Sequence, residues 1–197
     1  MDNIVRQTLR ESRDGFDALL RDEETLLRIE SAGRLLADVF AAGGRVFSCG
    51  NGGSLCDAMH FAEECTGRFR KDRDPLPALA LSDASHMSCV ANDFGWEHVF
   101  SRYLAAHGRS GDILVALSTS GKSGNVLAAA REAKARGMKV ICLTGKPESE
   151  LASLSDIEIA TPAGSFSDHV QEIHIAVLHL LVQLVERRLF PDLYRTP

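Results

Sequence analysis

The fold is decided by the stretch Val46-Phe-Ser-Cys-Gly-Asn-Gly-Gly-Ser54, in which a short apolar run leads directly into a glycine-rich turn. The run has the length and the side chains of a buried strand, and three glycines let the backbone reverse tightly. A helical pattern begins near Ser54. In open parallel sheets, such a strand–turn–helix unit places a ligand beyond the carboxyl end of the strand.

Four more apolar runs alternate with helical or loop segments, at Ala78–Leu81, Ile113–Leu117, Val140–Leu143 and Ile157–Ala160. This alternation predicts an α/β fold: an open, mostly parallel five-stranded sheet with helices on both faces, as in flavodoxin-like and Rossmann-like proteins. Helical periodicity adds two N-terminal helices, over residues 3–20 and 24–40, and a long C-terminal helix over 168–188. We predict a single domain, 1–197, with an N-terminal helical segment (1–42) and an α/β core that includes the C-terminal helix (43–197).

The composition is that of an ordinary globular protein, with 45% hydrophobic residues and a formal net charge of −5. An acidic balance argues against a nucleic-acid partner. The five cysteines show no paired spacing, the N-terminus has no signal-peptide pattern, and the most apolar stretch, 173–185, is too short for a membrane span. We therefore expect a cytoplasmic protein with reduced thiols and no membrane partner. The basic segment 68–73 is interpreted mainly as a solvated loop, from which Arg68 is positioned to reach an anion.

Two turns are candidate anion sites. The helix that follows Gly50–Ser54 offers free N–H groups to an anion, although a glycine-rich connection without a ligand has the same pattern; Asn51 is either a turn residue or an amide that binds hydroxyls. The second turn, Ser118-Thr-Ser-Gly-Lys-Ser123, resembles a relaxed P-loop. Its strand continues through the position of the first P-loop glycine, and its many hydroxyls suit a compact monophosphate better than a nucleoside triphosphate.

Two helices carry candidate proton-transfer or metal-binding side chains. His60 and Glu64 stand four residues apart on one helix face, where both reach one metal ion, one substrate or simply each other. Cys56 precedes them by one turn and is either a core residue or a third ligand. Gln171 and His179 lie on the C-terminal helix, and an imidazole in such apolar surroundings is either a core residue or a ligand. Spacing alone leaves these alternatives open.

Taken together, several motifs resemble those of the phosphoheptose isomerases, within the larger group of sugar-isomerase (SIS) domains. The matching segments are Ser48-Cys-Gly-Asn-Gly-Gly-Ser54, Asp57-Ala-Met-His-Phe-Ala-Glu-Glu64, Asn92-Asp-Phe-Gly95, Phe100-Ser-Arg102, Ser118-Thr-Ser-Gly121, and Gln171-Glu-Ile-His174 with His179. The resemblance covers nearly the whole chain. Lys122 and Leu55 depart from some relatives at positions to which we assign no chemistry.

The resemblance implies an isomerase that converts sedoheptulose 7-phosphate to D-glycero-D-manno-heptose 7-phosphate, a precursor of lipopolysaccharide. It implies a homotetramer with active sites between subunits. It also implies that a sugar is lined by Asn51, Gly52, Gly53, Glu64, Asn92, Asp93 and Gln171, and that a phosphate is held by Ser118, Thr119, Ser120 and Ser123. One zinc ion per subunit is implied at His60, Glu64, Gln171 and His179.

The chemistry implied by the resemblance is proton transfer through a cis-enediol, with Glu64 as the base and His179 as the acid. Asp168 is a candidate proton relay near the site. Some members of the family are non-catalytic sugar-phosphate-binding regulators, and these tend to lack the acid/base pair. Because this chain keeps both residues, we expect an enzyme and retain the regulator as the alternative.

Overall fold

The five predicted strands form one sheet in a computed structural model, which describes residues 2–161, 163–164 and 166–195. The strand order is β2-β1-β3-β4-β5, and every neighbouring pair is parallel. The prediction of an open parallel sheet is confirmed, with strand ends that differ by at most one residue. The strands are β1 (Val46–Cys49), β2 (Ala78–Ala80), β3 (Ile113–Ser118), β4 (Lys139–Thr144) and β5 (Ile157–Ala160).

Helices connect the strands and flank them at both ends of the chain. The two N-terminal helices and the long C-terminal helix have the predicted positions within one or two residues. The helices are α1 (Asp2–Arg21), α2 (Glu23–Ala41), α3 (Gly53–Thr66), α4 (Ala84–Phe94), α5 (Ser101–His107), α6 (Gly124–Ala135), α7 (Glu150–Ser153) and α8 (Ser167–Leu189). Two 3₁₀-helical turns cover Trp96–His98 and Pro191–Tyr194.

The sheet is buried on both faces, and alternate strand residues therefore enter two different cores. In β3, Val115 and Leu117 pack with side chains from α2, α3 and α8, whereas Leu114 and Ala116 pack with side chains from α4, α5 and α6. All four strand residues are fully buried. This double burial explains why the strands have continuous apolar sequences instead of an alternating pattern.

Helix α8 packs across one face of the sheet through a stripe of apolar residues spaced by four. Ile173, Val177, Leu181 and Val185 are all nearly or fully buried in the core that this helix shares with α2 and α3. Because residues four apart lie on one side of a helix, the stripe fixes the rotation of α8 about its axis. It thereby also fixes the direction in which the polar residues of α8 point.

The chain reverses its winding direction between β1 and β3, which are neighbours in the sheet. From β1 the chain crosses to β2 on one side, and from β3 it crosses to β4 on the other. At such a switch point the turns after the two central strands diverge and leave a crevice. The turns at Gly50–Ser54 and Ser118–Ser123 therefore flank one crevice, as predicted.

Most of segment 68–73 is exposed, as interpreted from the sequence, but the side chain of its last residue is not. Arg68, Arg70 and Lys71 are exposed, but the Arg73 side chain has no exposed surface and pairs with Glu186 of α8. A charged group is buried in this way only when its donors find partners inside the protein.

All five cysteines are free thiols. Burial raises the pKa of the Cys49, Cys65 and Cys142 thiols to about 12, so these side chains stay protonated near neutral pH. Among the described residues, no helix has the length and apolar character that crossing a membrane requires.

Candidate active site

The two turns at the switch point are joined by a pair of amide side chains. Asn51 donates from Nδ2 to Oδ1 of Asn125, and Asn125 donates back to Oδ1 of Asn51, each at 2.8 Å. Asn125 is buried in the first turn of α6, which follows the hydroxyl-rich turn. The pair therefore holds the glycine-rich turn against the start of α6, and it still leaves each amide one unused N–H and one unused lone pair.

Three hydroxyl groups gather in the second turn. Oγ of Ser118 lies 3.0 Å from Oγ of Ser123 and 3.5 Å from Oγ of Ser120, and the main-chain N–H of Lys122 donates to Ser120 at 3.2 Å. Ser123 occupies the N-cap position of α6, yet its side chain caps no helical N–H. The free N–H groups and the hydroxyls together form a concave set of donors that suits an anion.

A cleft of about 440 Å³ adjoins this turn. Thr119 and Ser120 line it together with Ser167 and Val170 from the beginning of α8. The cleft is lined in full by Thr119, Ser120, Gly145, Lys146, Pro147, Ala163, Gly164, Phe166, Ser167 and Val170. Its volume is in the range of small-molecule sites.

A second set of functional side chains gathers between α3 and α8. Oε1 of Glu64 lies 3.2 Å from Nε2 of His60 and 4.0 Å from Nε2 of His179. The two imidazole rings meet edge to face with centroids 5.0 Å apart, and the Phe69 ring covers His179 at 5.7 Å. The possible ligand atoms of the two histidines and the glutamate all lie within 4.8 Å of one another. Two imidazoles and one carboxylate oxygen are suitable donors for a divalent cation such as zinc.

The environment of His179 disfavours its charged form. Burial lowers the pKa of this imidazole, the neighbouring His60 lowers it further, and the carboxylate of Glu64 opposes both effects. The imidazole is therefore mainly neutral near pH 7. His174, one turn earlier on α8, is fully buried, and burial lowers its pKa to about 4.

Gln171 is not part of this cluster within one chain. Its Nε2 donates to Oγ of Ser54 at 3.5 Å, and it passes so close to Gly53 that a Cβ atom there would lie 2.5 Å from Oε1 of Gln171. Gly53 begins α3 and Glu64 lies near its end, so eleven residues and about 16 Å of helix separate their α-carbons. Within one chain, Gln171 joins the glycine-rich turn, while Glu64 and His179 lie toward the other end of α3.

The remaining candidates lie apart from both groups. Asn92 and Asp93 are exposed near the end of α4, where Nδ2 of Asn92 donates to Asp93 at 2.7 Å, and no hydrogen bond of the described residues joins them to either turn. Cys56 is exposed on α3 and lies outside the His60, Glu64 and His179 group. Asp168 is exposed at the start of α8, where its carboxylate accepts the N–H of His169.

Asp57 is a further polar side chain on the His60 face of α3, and sequence reasoning assigned it no role. Its Oδ2 atom is buried and has no hydrogen-bond partner among the residues described. Burial raises the pKa of this carboxyl to about 6, against a smaller opposing effect from His60. Between pH 4 and 6, folded Asp57 keeps a proton that the unfolded chain has lost. Its contribution to the free energy of unfolding therefore decreases as the pH rises through this range.

Replacing Asp57 with asparagine is expected to stabilise the protein at pH 7, where the native aspartate carries a poorly solvated charge. The gain should disappear toward pH 4, where the aspartate is protonated in the folded state. Urea denaturation of both proteins at pH 4, 5, 6 and 7 measures the difference. Asp83→Asn is the control, because hydrogen bonds from His86 and Ser85 lower the pKa of Asp83 and no gain is expected there. A stability difference for Asp57→Asn that is the same at pH 4 and pH 7 would contradict this assignment.

Comparison with known proteins identifies the family. The SIS domain profile matches residues 13–145. A phosphoheptose isomerase from Yersinia enterocolitica is 53% identical over 187 residues, covering 95% of this chain and 97% of that protein. The chain belongs to the phosphoheptose isomerase family. The phosphoheptose isomerase from Vibrio cholerae is 51% identical over 187 residues, with 95% and 98% coverage.

Solved phosphoheptose isomerases share the fold. The Francisella tularensis structure superposes with a TM-score of 0.87 at 30% identity, covering 94% of this chain and 97% of that one. The structure from Neisseria gonorrhoeae gives 0.80 at 34% identity, covering 94% and 96%. As a member of the phosphoheptose isomerase family, the chain is an isomerase.

Sequence reasoning missed three contacts in and around the candidate site. These are the Asn125 amide that pairs with Asn51, the Phe69 ring over His179, and the buried Arg73 beside the end of α3. Only Asn125 carried a local signal, because a polar residue that becomes buried just inside a helix start needs a partner. The other two depend on contacts between distant parts of the chain.

Proposed function

We propose that this chain converts sedoheptulose 7-phosphate to D-glycero-D-manno-heptose 7-phosphate, with Glu64 as the base and His179 as the acid. The observation that carries the proposal is the approach of the Glu64 carboxylate to the His179 imidazole, 4.0 Å apart, in a member of this family. The two side chains come from different helices and are 115 residues apart in sequence. A carboxylate and an imidazole at this distance can serve one small substrate between them.

The reaction moves one proton between carbons and another between oxygens. Glu64 takes the proton from C1 of the ketose while His179 donates a hydrogen to O2, which gives a cis-enediol. Glu64 then returns its proton to C2, and the imidazole accepts the proton of O1 as the C1 carbonyl forms. The bonds and protons balance, so no redox partner is consumed.

The surroundings of the pair suit these roles. A neutral imidazole, favoured by the lowered pKa of His179, has one donor and one acceptor nitrogen and is therefore able to pass protons between oxygens. Both close contacts of Glu64 with histidines use Oε1, so Oε2 remains for the carbon-bound proton. This division lets the carboxylate contact its histidine neighbours and act as a base through different oxygens.

The phosphate of the substrate is proposed to bind the hydroxyl-rich turn through Ser118, Thr119, Ser120 and Ser123. Hydroxyls and helix N–H groups there supply neutral donors, and Lys146 lines the adjoining cleft. The sugar hydroxyls are proposed to contact Asn51, Gly52, Gly53 and Gln171 at the glycine-rich turn. Asn92 and Asp93 are assigned to the sugar on the family resemblance alone.

One zinc ion per subunit is proposed at His60, Glu64 and His179, with Gln171 as a fourth ligand. The donor types and the mutual distances of the first three fit such an ion. A divalent cation at this position supplies positive charge that stabilises negative charge on the substrate oxygens. Within one chain, the Gln171 side chain contacts Ser54. To act as the fourth ligand, this side chain must therefore adopt a position different from the one that contacts Ser54.

Removal of divalent cations is expected to lower the turnover rate, and added Zn²⁺ should restore it. Replacing His60 with alanine removes one of three convergent donors. The affinity of the His60→Ala protein for Zn²⁺ should fall by more than about 100-fold, because losing a side chain that only hydrogen-bonds a metal ligand already costs about 10–100-fold. Isothermal titration with Zn²⁺ measures this independently of activity, and His98→Ala in the exposed 3₁₀ turn is the control. Unchanged Zn²⁺ affinity in His60→Ala, or an unchanged rate after exhaustive chelation, would contradict the proposed metal role.

A homotetramer with active sites between subunits is also proposed. Helix α1 exposes large apolar side chains, with Ile4, Leu9 and Leu20 each about two-thirds exposed, as is typical of a face that another subunit covers. The 16 Å of α3 between the glycine-rich turn and Glu64 also favours an arrangement in which a neighbouring subunit completes each site. We place the enzyme in the cytoplasm, in the synthesis of heptose precursors for lipopolysaccharide.

A turnover assay on a panel of five-, six- and seven-carbon ketose and aldose phosphates, with Zn²⁺ present, tests the proposed function. The expected result is the highest kcat/KM for sedoheptulose 7-phosphate, with the aldose as the product. Saturable binding of the seven-carbon phosphates without turnover, by folded and oligomeric protein, would refute the proposal and support the regulatory alternative instead.

A further inference from the structure

The Arg73 guanidinium lies under the end of α3 and binds main-chain carbonyls there. Nη2 donates to the carbonyl of Glu64 at 2.6 Å, and Nη1 donates to those of Cys65 at 2.7 Å and Gly67 at 3.1 Å. Nη1 also lies 3.3 Å from the carbonyl of Asp74. The last carbonyls of a helix have no partner within the helix, and a cation is favoured at that end by the helix dipole. Arg73 therefore caps the C-terminal end of α3, and one of the carbonyls that it binds belongs to the residue that carries the proposed base.

The other side of the same guanidinium is bound by α8. Nε of Arg73 donates to Oε1 of Glu186 at 3.1 Å, and both side chains are completely buried. Tyr194, in the C-terminal 3₁₀ turn, donates its hydroxyl to Oε2 of Glu186. Burial and this carboxylate raise the pKa of Tyr194 to about 12, so the phenol remains a donor at neutral pH. Each oxygen of the buried carboxylate thus has a partner.

Glu186 follows His179 by seven residues, which is two turns of α8, so the two side chains lie on the same side of the helix. Arg73 consequently joins the main chain of Glu64 to the helix face that carries His179. The Arg73–Glu186 pair is therefore a direct polar bridge between the end of α3 and α8, in addition to the 4.0 Å approach of the Glu64 carboxylate to the His179 imidazole.

We propose that Arg73 is a positioning residue for the Glu64–His179 pair, and that Glu186 and Tyr194 hold its guanidinium in place. The inference rests on the proposed function in assigning the pair to proton transfer. A buried ion pair is often replaceable by apolar residues without loss of stability, so stability alone gives little reason for this arrangement. The alignment of Glu64 with His179 does give a reason for it, because a displacement of about 1 Å at reacting groups lowers rates by about 10²-fold.

The decisive variant is the double replacement Arg73→Met with Glu186→Leu, which removes both charges and keeps the apolar bulk. Removing Arg73 alone leaves an unpaired buried carboxylate, and that protein is at risk of not folding. The double variant is expected to fold, and to lose about 10²-fold in kcat while KM changes less than about threefold. Arg73→Lys should give an intermediate kcat, since one ammonium group cannot reach all of these carbonyls and Glu186 together.

A stability control separates positioning from general weakening. Met138→Ala removes a buried side chain from the core on the opposite face of the sheet, and the cavity that it leaves lowers the stability of the fold. This variant should lose thermal stability and keep the wild-type kcat. A double variant that keeps kcat within about threefold of the wild type, or a Met138→Ala variant with the same kcat loss as the double variant, overturns the inference.

Crystal structures of the wild type and the double variant decide the positioning role without any assay of turnover. We expect the distance between Oε1 of Glu64 and Nε2 of His179 to increase by about 1 Å or more in the double variant. An unchanged distance would overturn the inference even if the wild type proved inactive on every sugar phosphate. An inactive wild type with an increased distance in the variant would refute the proposed function and leave the positioning role supported.

Discussion

Replacing Glu64 with glutamine is expected to reduce kcat by about 10²–10⁴-fold and to leave the affinity for the sugar phosphate nearly unchanged. Glutamine keeps the size and hydrogen-bonding shape of the side chain but cannot take a proton from carbon. The binding groups proposed for the phosphate lie in the turn after β3, on other elements of the fold. Steady-state kinetics and calorimetric titration with sedoheptulose 7-phosphate measure the two quantities separately.

Glu63→Gln is the matched control for this variant. Glu63 is the neighbouring residue on α3, has the same charge and is exposed to solvent. Its replacement should leave both kcat and affinity at wild-type values. Loss of binding in Glu64→Gln would assign this residue to anchoring the substrate, and retention of turnover would remove it from the proton transfer altogether.

The second large effect is expected from Gly121→Ala in the hydroxyl-rich turn. Gly121 has φ 64°, a left-handed conformation that costs an ordinary L-residue about 1–2 kcal/mol. A Cβ atom there would also lie 2.3 Å from Cβ of Ser149, so the turn must move away from α7. Together these effects should lower the free energy of unfolding by about 2–4 kcal/mol, displace the hydroxyls and weaken phosphate binding at least about tenfold.

Gly124→Ala provides the control, at the first residue of α6 directly after this turn. Its Cβ would meet no atom within 4 Å, and its φ lies outside the left-handed region. Alanine there also preserves the main-chain N–H at the start of α6. Thermal unfolding measures the stability of the two variants, and competition of inorganic phosphate with the sugar phosphate measures their phosphate binding. Equal stability and equal phosphate binding in the two variants would show that the conformation of Gly121 is unimportant for the site.

The strands were predictable because burial on both faces leaves a continuous apolar sequence. Val46–Cys49 and Ile157–Ala160 were located to the residue, and the long helix α8 was recognised from its apolar spacing. Helix α4 was not recognised, because only Val90 of its residues is buried and the apolar periodicity is correspondingly weak. A local sequence pattern thus predicts a helix or strand when residues along most of its length pack into the core.

The candidate site was predictable in part. The spacing of His60 and Glu64 predicts their contact, but nothing local indicates that His179 joins them from the end of the chain; that expectation came from the family resemblance. Arg73 shows the limit most clearly. It stands in a segment of alternating charges that is typical of an exposed loop, and its burial depends on Glu186, 113 residues later. Long-range pairing of this kind is decided by the packing of helices, which single-sequence patterns do not encode.

The reciprocal amide contact between Asn51 and Asn125 has a consequence for ligand binding. Because it joins the glycine-rich turn to the start of α6 before any ligand is present, an incoming ligand is expected to lose little interaction energy in ordering the backbone there. A ligand that enters between the two turns should therefore bind with less loss of backbone freedom than it would if the turns were not joined.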